Sequence, residues 1–122
     1  MSAVADVLVC IVALEHLWFL VLEMFLWTKP LGLRTFRQSE EKARASASLA
    51  ANQGLYNGFL AAGLVWSLLA STPELAVSLK IFFLACVVAA GVFGALTVSR
   101  RILLVQALPA AMGLILVLFS RP

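Results

Sequence analysis

The chain has 122 residues, 63% of them hydrophobic and 12% charged, with nine Lys and Arg against six Asp and Glu. A soluble domain is nearer half apolar and a quarter charged, and one of this length has too little interior to hide so much apolar surface. The composition therefore excludes an ordinary soluble domain and points to a lipid bilayer as the solvent.

Four apolar runs follow along the chain, at about residues 4–27, 47–70, 75–98 and 102–119. Each approaches the roughly 20 residues that a membrane-crossing helix needs. The runs are continuous rather than alternating, which excludes barrel strands. The expected fold is an all-α integral membrane protein: a four-transmembrane-helix bundle forming one membrane domain over residues 1–122.

The first run opens on Met1-Ser2-Ala3 without a positive segment and carries Glu15, His16 and Glu23, so it reads as a retained helix rather than a cleaved signal. Trp27 is placed to anchor it at the interface. Pro30 and Gly32 are read as ending this helix, and Leu31, Leu33 and Phe36 alternate with basic residues, as suits a segment at the headgroups. Ser39 followed by Glu40 and Glu41 marks the next helix start, a capping hydroxyl and then acids at the positive end of the dipole. Helix 2 is thus expected to begin above the membrane, extended into the cytoplasm, and to run to Ala70. Thr72-Pro73-Glu74 repeats the same start signal for helix 3. Arg100 and Arg101 turn the chain into helix 4, which Pro109 should kink by removing a donor and crowding the carbonyl of Val105.

The first and third connections hold Lys29, Arg34, Arg37, Lys42, Arg44, Arg100 and Arg101, whereas the opposite side has only Lys80 and Arg121. The positive-inside rule then places both connections in the cytoplasm, with both termini outside a cytoplasmic (inner) membrane. Topology accounts for the basic excess, and no nucleic-acid partner is expected. Lys80 can snorkel to the outer headgroups. Asp6, Glu40, Glu41 and Glu74 are read as surface charges. Cys10 and Cys86 lie in apolar runs as small hydrophobes, too far apart for a metal motif.

Ionisable groups at membrane depth are costly and call for a reason. On helix 1, His16 and Glu23 are seven apart and fall on nearly one stripe, with Glu15 about 80–100° away. Helix 2 carries Asn52, Gln53, Tyr56 and Asn57 on an arc of roughly 140°. Helices joined by a short connection are usually neighbours, so the two sets can form one polar pocket opening toward the cytoplasm. Trp18 and Trp27 complete the binding set. Gly54 and Gly58, with Ala61, form a small-residue face on which another helix, or a second copy of the chain, can pack closely. The plainer alternative is that Asn, Gln, Tyr and His hydrogen-bond each other and hold the bundle together. That explanation suits the carboxyls of Glu15 and Glu23 less well.

Three stretches, Glu15 to Thr28 (EHLWFLVLEMFLWT), Gly32 to Phe36 (GLRTF) and Ala51 to Ala61 (ANQGLYNGFLA), together resemble the small four-helix bacterial membrane family catalogued as domain of unknown function 1304. The resemblance implies four helices and a bacterial cytoplasmic-membrane setting, and it brings no activity with it. Its motif residues coincide with the polar set.

Three functions fit. The chain could bind or transport a hydrophobic or cationic small molecule, with a desolvated Glu exchanging a proton for the substrate; its plan is similar to that of small multidrug transporters, with Glu15 midway along helix 1. It could be a membrane enzyme performing isomerase-like acid–base chemistry on a lipid through Glu15, His16 and Glu23. It could be a structural or accessory subunit. Whether it is an enzyme stays open. A metal held by Glu15, His16 and Glu23 has no recognised ligand spacing behind it, and neither a metal nor a cofactor is expected. The expected partners are the bilayer, a lipid or amphipathic ligand, and a second copy through the Gly54/Gly58 face.

Overall fold

The structure, a computed structural model, describes residues 2–120, apart from the side chains of residues 2, 102 and 103. Every regular element among the described residues is helical. Helix α1 spans Ser2–Met24, α2 Pro30–Phe36, α3 Glu40–Leu69 and α4 Pro73–Thr97. A short α5 (Arg100–Ile102) passes through a π-helical segment, Leu103–Ala107, into α6 (Leu108–Phe119). Arg121, one of the two basic residues expected outside, lies beyond the described residues.

The expected four-transmembrane-helix bundle is not what the helices form. Two of them, Ala3–Met24 and Pro73–Thr97, are long and apolar enough to cross a membrane. Helix α3 has the length but not the apolarity: it opens on Glu40, Glu41, Lys42 and Arg44, and Asn52, Gln53 and Asn57 interrupt its middle. The last apolar helix, Leu104–Phe119, is too short. At about 1.5 Å per residue it covers roughly 24 Å of a hydrocarbon layer about 30 Å thick. Only 28% of the most apolar stretch of each long helix is buried within the chain. Val7, Leu14, Phe82 and Phe93 are among the large apolar side chains that α1 and α4 leave exposed. A core helix of a soluble domain buries most of its apolar stripe instead.

The chain resolves into two compact units, one made of Met1–Glu15 with Leu60–Pro122 and the other of His16–Phe59. In the first, Ala5, Val9, Val12 and Ala13 repeat at the helical i, i+4, i+7, i+8 spacing and bury one stripe of α1. They form a core with Leu64 of α3, Leu84 and Val87 of α4, and Ala110 and Val117 of α6. A Cβ on Gly91 would stand 2.6 Å from the Ala107 Cβ and 2.9 Å from its backbone nitrogen, so only glycine allows α4 to lie this close to the π segment. The Lys80 ammonium, on a side chain 11% exposed, pairs with Asp6 and ties α4 to α1. Pro109 leaves the Val105 carbonyl without its helical donor, and the turn just before it widens into the π segment.

In the second unit α1 ends at Met24, three residues before the expected boundary, where Phe25 and Leu26 both donate to the Val21 carbonyl at 3.0 and 3.1 Å. Pro30 then starts a helix at its first turn, as its fixed φ allows. Gly32, expected as a helix breaker, lies inside α2. A Cβ there would come 1.9 Å from the Leu26 carbonyl oxygen, so the glycine is required by close approach rather than by a turn. Arg37 closes α2 in the left-handed conformation, φ 52 and ψ 50, and Gln38 donates to the Leu33 carbonyl at 3.1 Å. Ser39 caps α3 by accepting from the Lys42 amide at 3.1 Å, and Thr72 caps α4 by accepting from the Leu75 amide at 3.2 Å.

Candidate functional site

Within the second unit, α1 presents Leu20, Glu23 and Met24 to α3, which answers with Gln53, Gly54, Asn57 and Gly58. A Cβ on Gly54 would meet the Met24 Cγ at 2.7 Å, the Glu23 Cβ at 3.1 Å and the Leu20 carbonyl oxygen at 3.3 Å. On Gly58 it would meet the Leu20 Cδ1 at 2.7 Å. The two glycines therefore set how near the helices come. Residues 53, 54, 57 and 58 span about 140° of a helix, so the polar arc and the small-residue arc adjoin, and α1 lies along their seam.

That approach brings three polar side chains together. Glu23 is 4% exposed. Its Oε2 accepts from Gln53 Nε2 at 2.8 Å and its Oε1 from Asn57 Nδ2 at 2.5 Å. Asn57 is buried, whereas Gln53 is exposed, so the network has one closed flank and one reachable flank. The donors to Glu23 are the neutral amides of Gln53 and Asn57, and the ion pairs of Arg44 with Glu40 and of Lys80 with Asp6 do not involve it. Such a carboxyl can keep its charge on two amide dipoles, take a proton, or accept a cation from its open side.

The remaining expected site residues are placed elsewhere. His16 is fully buried, with its ring edge-on to Phe19 at 5.3 Å between centroids. Asn52, Tyr56 and Trp18 are exposed, and Tyr56 rests edge-on against Phe59. Trp27 packs on Phe36 at 4.7 Å, and its Nε1 donates to Ser46 Oγ at 3.2 Å, which ties α2 to the first turns of α3. Glu15 belongs to the other compact unit, where its buried Oε1 has no hydrogen-bond partner. Among the described residues no three His, Cys, Asp or Glu side chains converge as metal ligands would.

Ser46 and Leu20 were not singled out from the sequence. Nothing marks a lone serine on a polar helix start as the acceptor for a tryptophan 19 positions earlier. The Gly54–Gly58 spacing was visible and signalled close packing, but not which helix would fill it.

Comparison with known proteins adds kinship without chemistry. The family model described as a protein of unknown function (DUF1304) matches residues 10–118. An uncharacterized protein of Lactococcus lactis subsp. lactis (strain IL1403), YpaA, is 30% identical over 117 residues, which cover 94% of this chain and 97% of that one. No solved structure matches. The match to the family model takes in all of the Glu23 network and most of both compact units, and the chain belongs to the DUF1304 family.

Proposed function

We propose that the chain is a protein of the bacterial cytoplasmic membrane that binds a hydrophobic or cationic small molecule at Glu23, with Asn57 and Gln53 as the adjustable polar wall. The observation that carries this is a buried carboxyl whose hydrogen-bond partners are two neutral amides, one of them on the exposed side of α3. An interhelical tie alone is served by amides and hydroxyls, which are cheaper to desolvate than a carboxylate. An ammonium or other hydrophobic cation would supply the charge partner, and Gln53 can swing aside to admit it. A proton competes for the same oxygens, so cation binding weakens as the medium becomes more acidic.

The membrane setting is supported by the outward apolar faces of α1 and α4. The basic stretch from Lys29 to Arg44 would lie on the cytoplasmic side of α1, with the N-terminus outside.

A second role has its own support. Both Glu23 oxygens already have donors, and Gly54 holds the helices close, as a purely structural tie would require. Calorimetric titration of the detergent-purified chain with tetraphenylphosphonium separates the two. Ligand binding at Glu23 predicts that Glu23→Gln weakens affinity by about ten- to a hundredfold, the worth of a charge-assisted contact. Equal affinity in the two proteins would refute the ligand role and leave the tie.

A further inference from the structure

The turn after α1, the short helix α2 and the first turn of α3 carry basic residues that the Glu23 network does not use. Lys29, Arg34, Arg37 and Lys42 are exposed, and among the described residues none of them is ion-paired. Leu31 and Phe36 alternate with them along the sequence and are 39% and 38% exposed. Between residues 25 and 44 there are five basic residues and two acidic ones, and one of those acids, Glu40, is occupied by Arg44.

Local contacts brace this segment. Pro30 fixes the first turn of α2, Arg37 closes its end, and Gly32 lets it lie against the Leu26 carbonyl. The tilted ring contact of Trp27 with Phe36, together with the Trp27–Ser46 hydrogen bond, holds it to α3. It also follows directly on a helix, Ala3–Met24, long and apolar enough to cross a membrane.

We propose that this platform binds anionic phospholipid headgroups, with Lys29, Arg34, Arg37 and Lys42 on the phosphates and Leu31 and Phe36 entering the acyl boundary. Charge complementarity selects an anion, and the two apolar side chains select a lipid over a soluble polyanion. The proposal shares the membrane setting of the preceding section but is independent of any ligand at Glu23. Each basic residue near an anionic surface contributes about a fivefold factor in affinity, so three of them together account for on the order of a hundredfold.

The test uses the full chain with Trp18→Phe and Trp66→Phe, so that Trp27 is the reporting indole, in micelles of a neutral detergent. It is titrated with phosphatidylglycerol or with phosphatidylcholine of the same acyl chains. The expected result is a saturable change in Trp27 emission at least about tenfold more sensitive to phosphatidylglycerol, with the preference shrinking at high salt. Adding Lys29→Gln, Arg34→Gln and Arg37→Gln should cut the preference to at most about the fivefold that Lys42 alone supplies. The charge-preserving set Lys29→Arg, Arg34→Lys and Arg37→Lys should keep it, which separates loss of charge from loss of fold. Equal response to the two lipids, a preference undiminished in the triple Gln variant, or the same emission change with glycerol phosphate or a short RNA would each overturn the proposal.

Discussion

Glu23 has two donors in unequal surroundings. Asn57 is buried and Gln53 is exposed, so water can replace the second amide but not the first. Asn57→Ala should cost about 1.5–3 kcal/mol, the range for a hydrogen bond to a charged group, whereas Gln53→Ala should cost less than about 1 kcal/mol. Thermal unfolding of the detergent-purified variants checks the order, and equal losses would count against a closed inner flank. The same logic applies to Asp6 and Lys80, the more buried partner being the cation. Asp6→Asn strands that ammonium and should lose about 1–3 kcal/mol, while Lys80→Met removes the charge, keeps the stem and should stay within about 1 kcal/mol of wild type. At this scale the sequence was informative about chemistry and poor about partners. Glu23, Gln53 and Asn57 stood out because polar groups in apolar runs are costly. The pairing of Asp6 with Lys80 was hidden because the two lie 74 positions apart.

Among the elements, the helix starts were the legible part. Ser39 and Thr72 each cap the helix that follows, as a hydroxyl before acids or Pro should. Helix α2 was hidden because Pro30 and Gly32 are strong breakers by composition. Here Pro30 occupies a first turn that needs no donor, and Gly32 makes room for a carbonyl. The π segment could not be read at all, since its cause, Pro109, equally suits a simple kink. The glycines of α3 allow a graded prediction. An added methyl at position 58 meets only the flexible end of Leu20, but at position 54 it also meets the Glu23 Cβ and the Leu20 carbonyl. Gly54→Ala should therefore cost about 1–3 kcal/mol and Gly58→Ala less than about 1 kcal/mol, measured by thermal unfolding. A reversed order would mean that α1 and α3 are not this close at Glu23.

For the molecule as a whole, composition pointed to a membrane, and two helices meet that expectation in length and apolarity. Counting apolar runs overshot to four because run length ignores what interrupts a helix. Asn52, Gln53 and Asn57 fall in the middle of α3, and the π segment shortens the last regular helix. The outward apolar faces of α1 and α4 predict that the chain stays with the membrane pellet after alkaline carbonate washing of cells producing it, and release into the supernatant would contradict the membrane setting. The central claim, that the Glu23 network seats a ligand, is tested most directly by the side-chain amide NMR signals of ¹⁵N-labelled Asn57 and Gln53 during titration with tetraphenylphosphonium. Both signals should shift in the wild-type chain and need about ten- to a hundredfold more ligand to shift in Glu23→Gln; saturable binding that leaves both unmoved in the wild type would contradict the account.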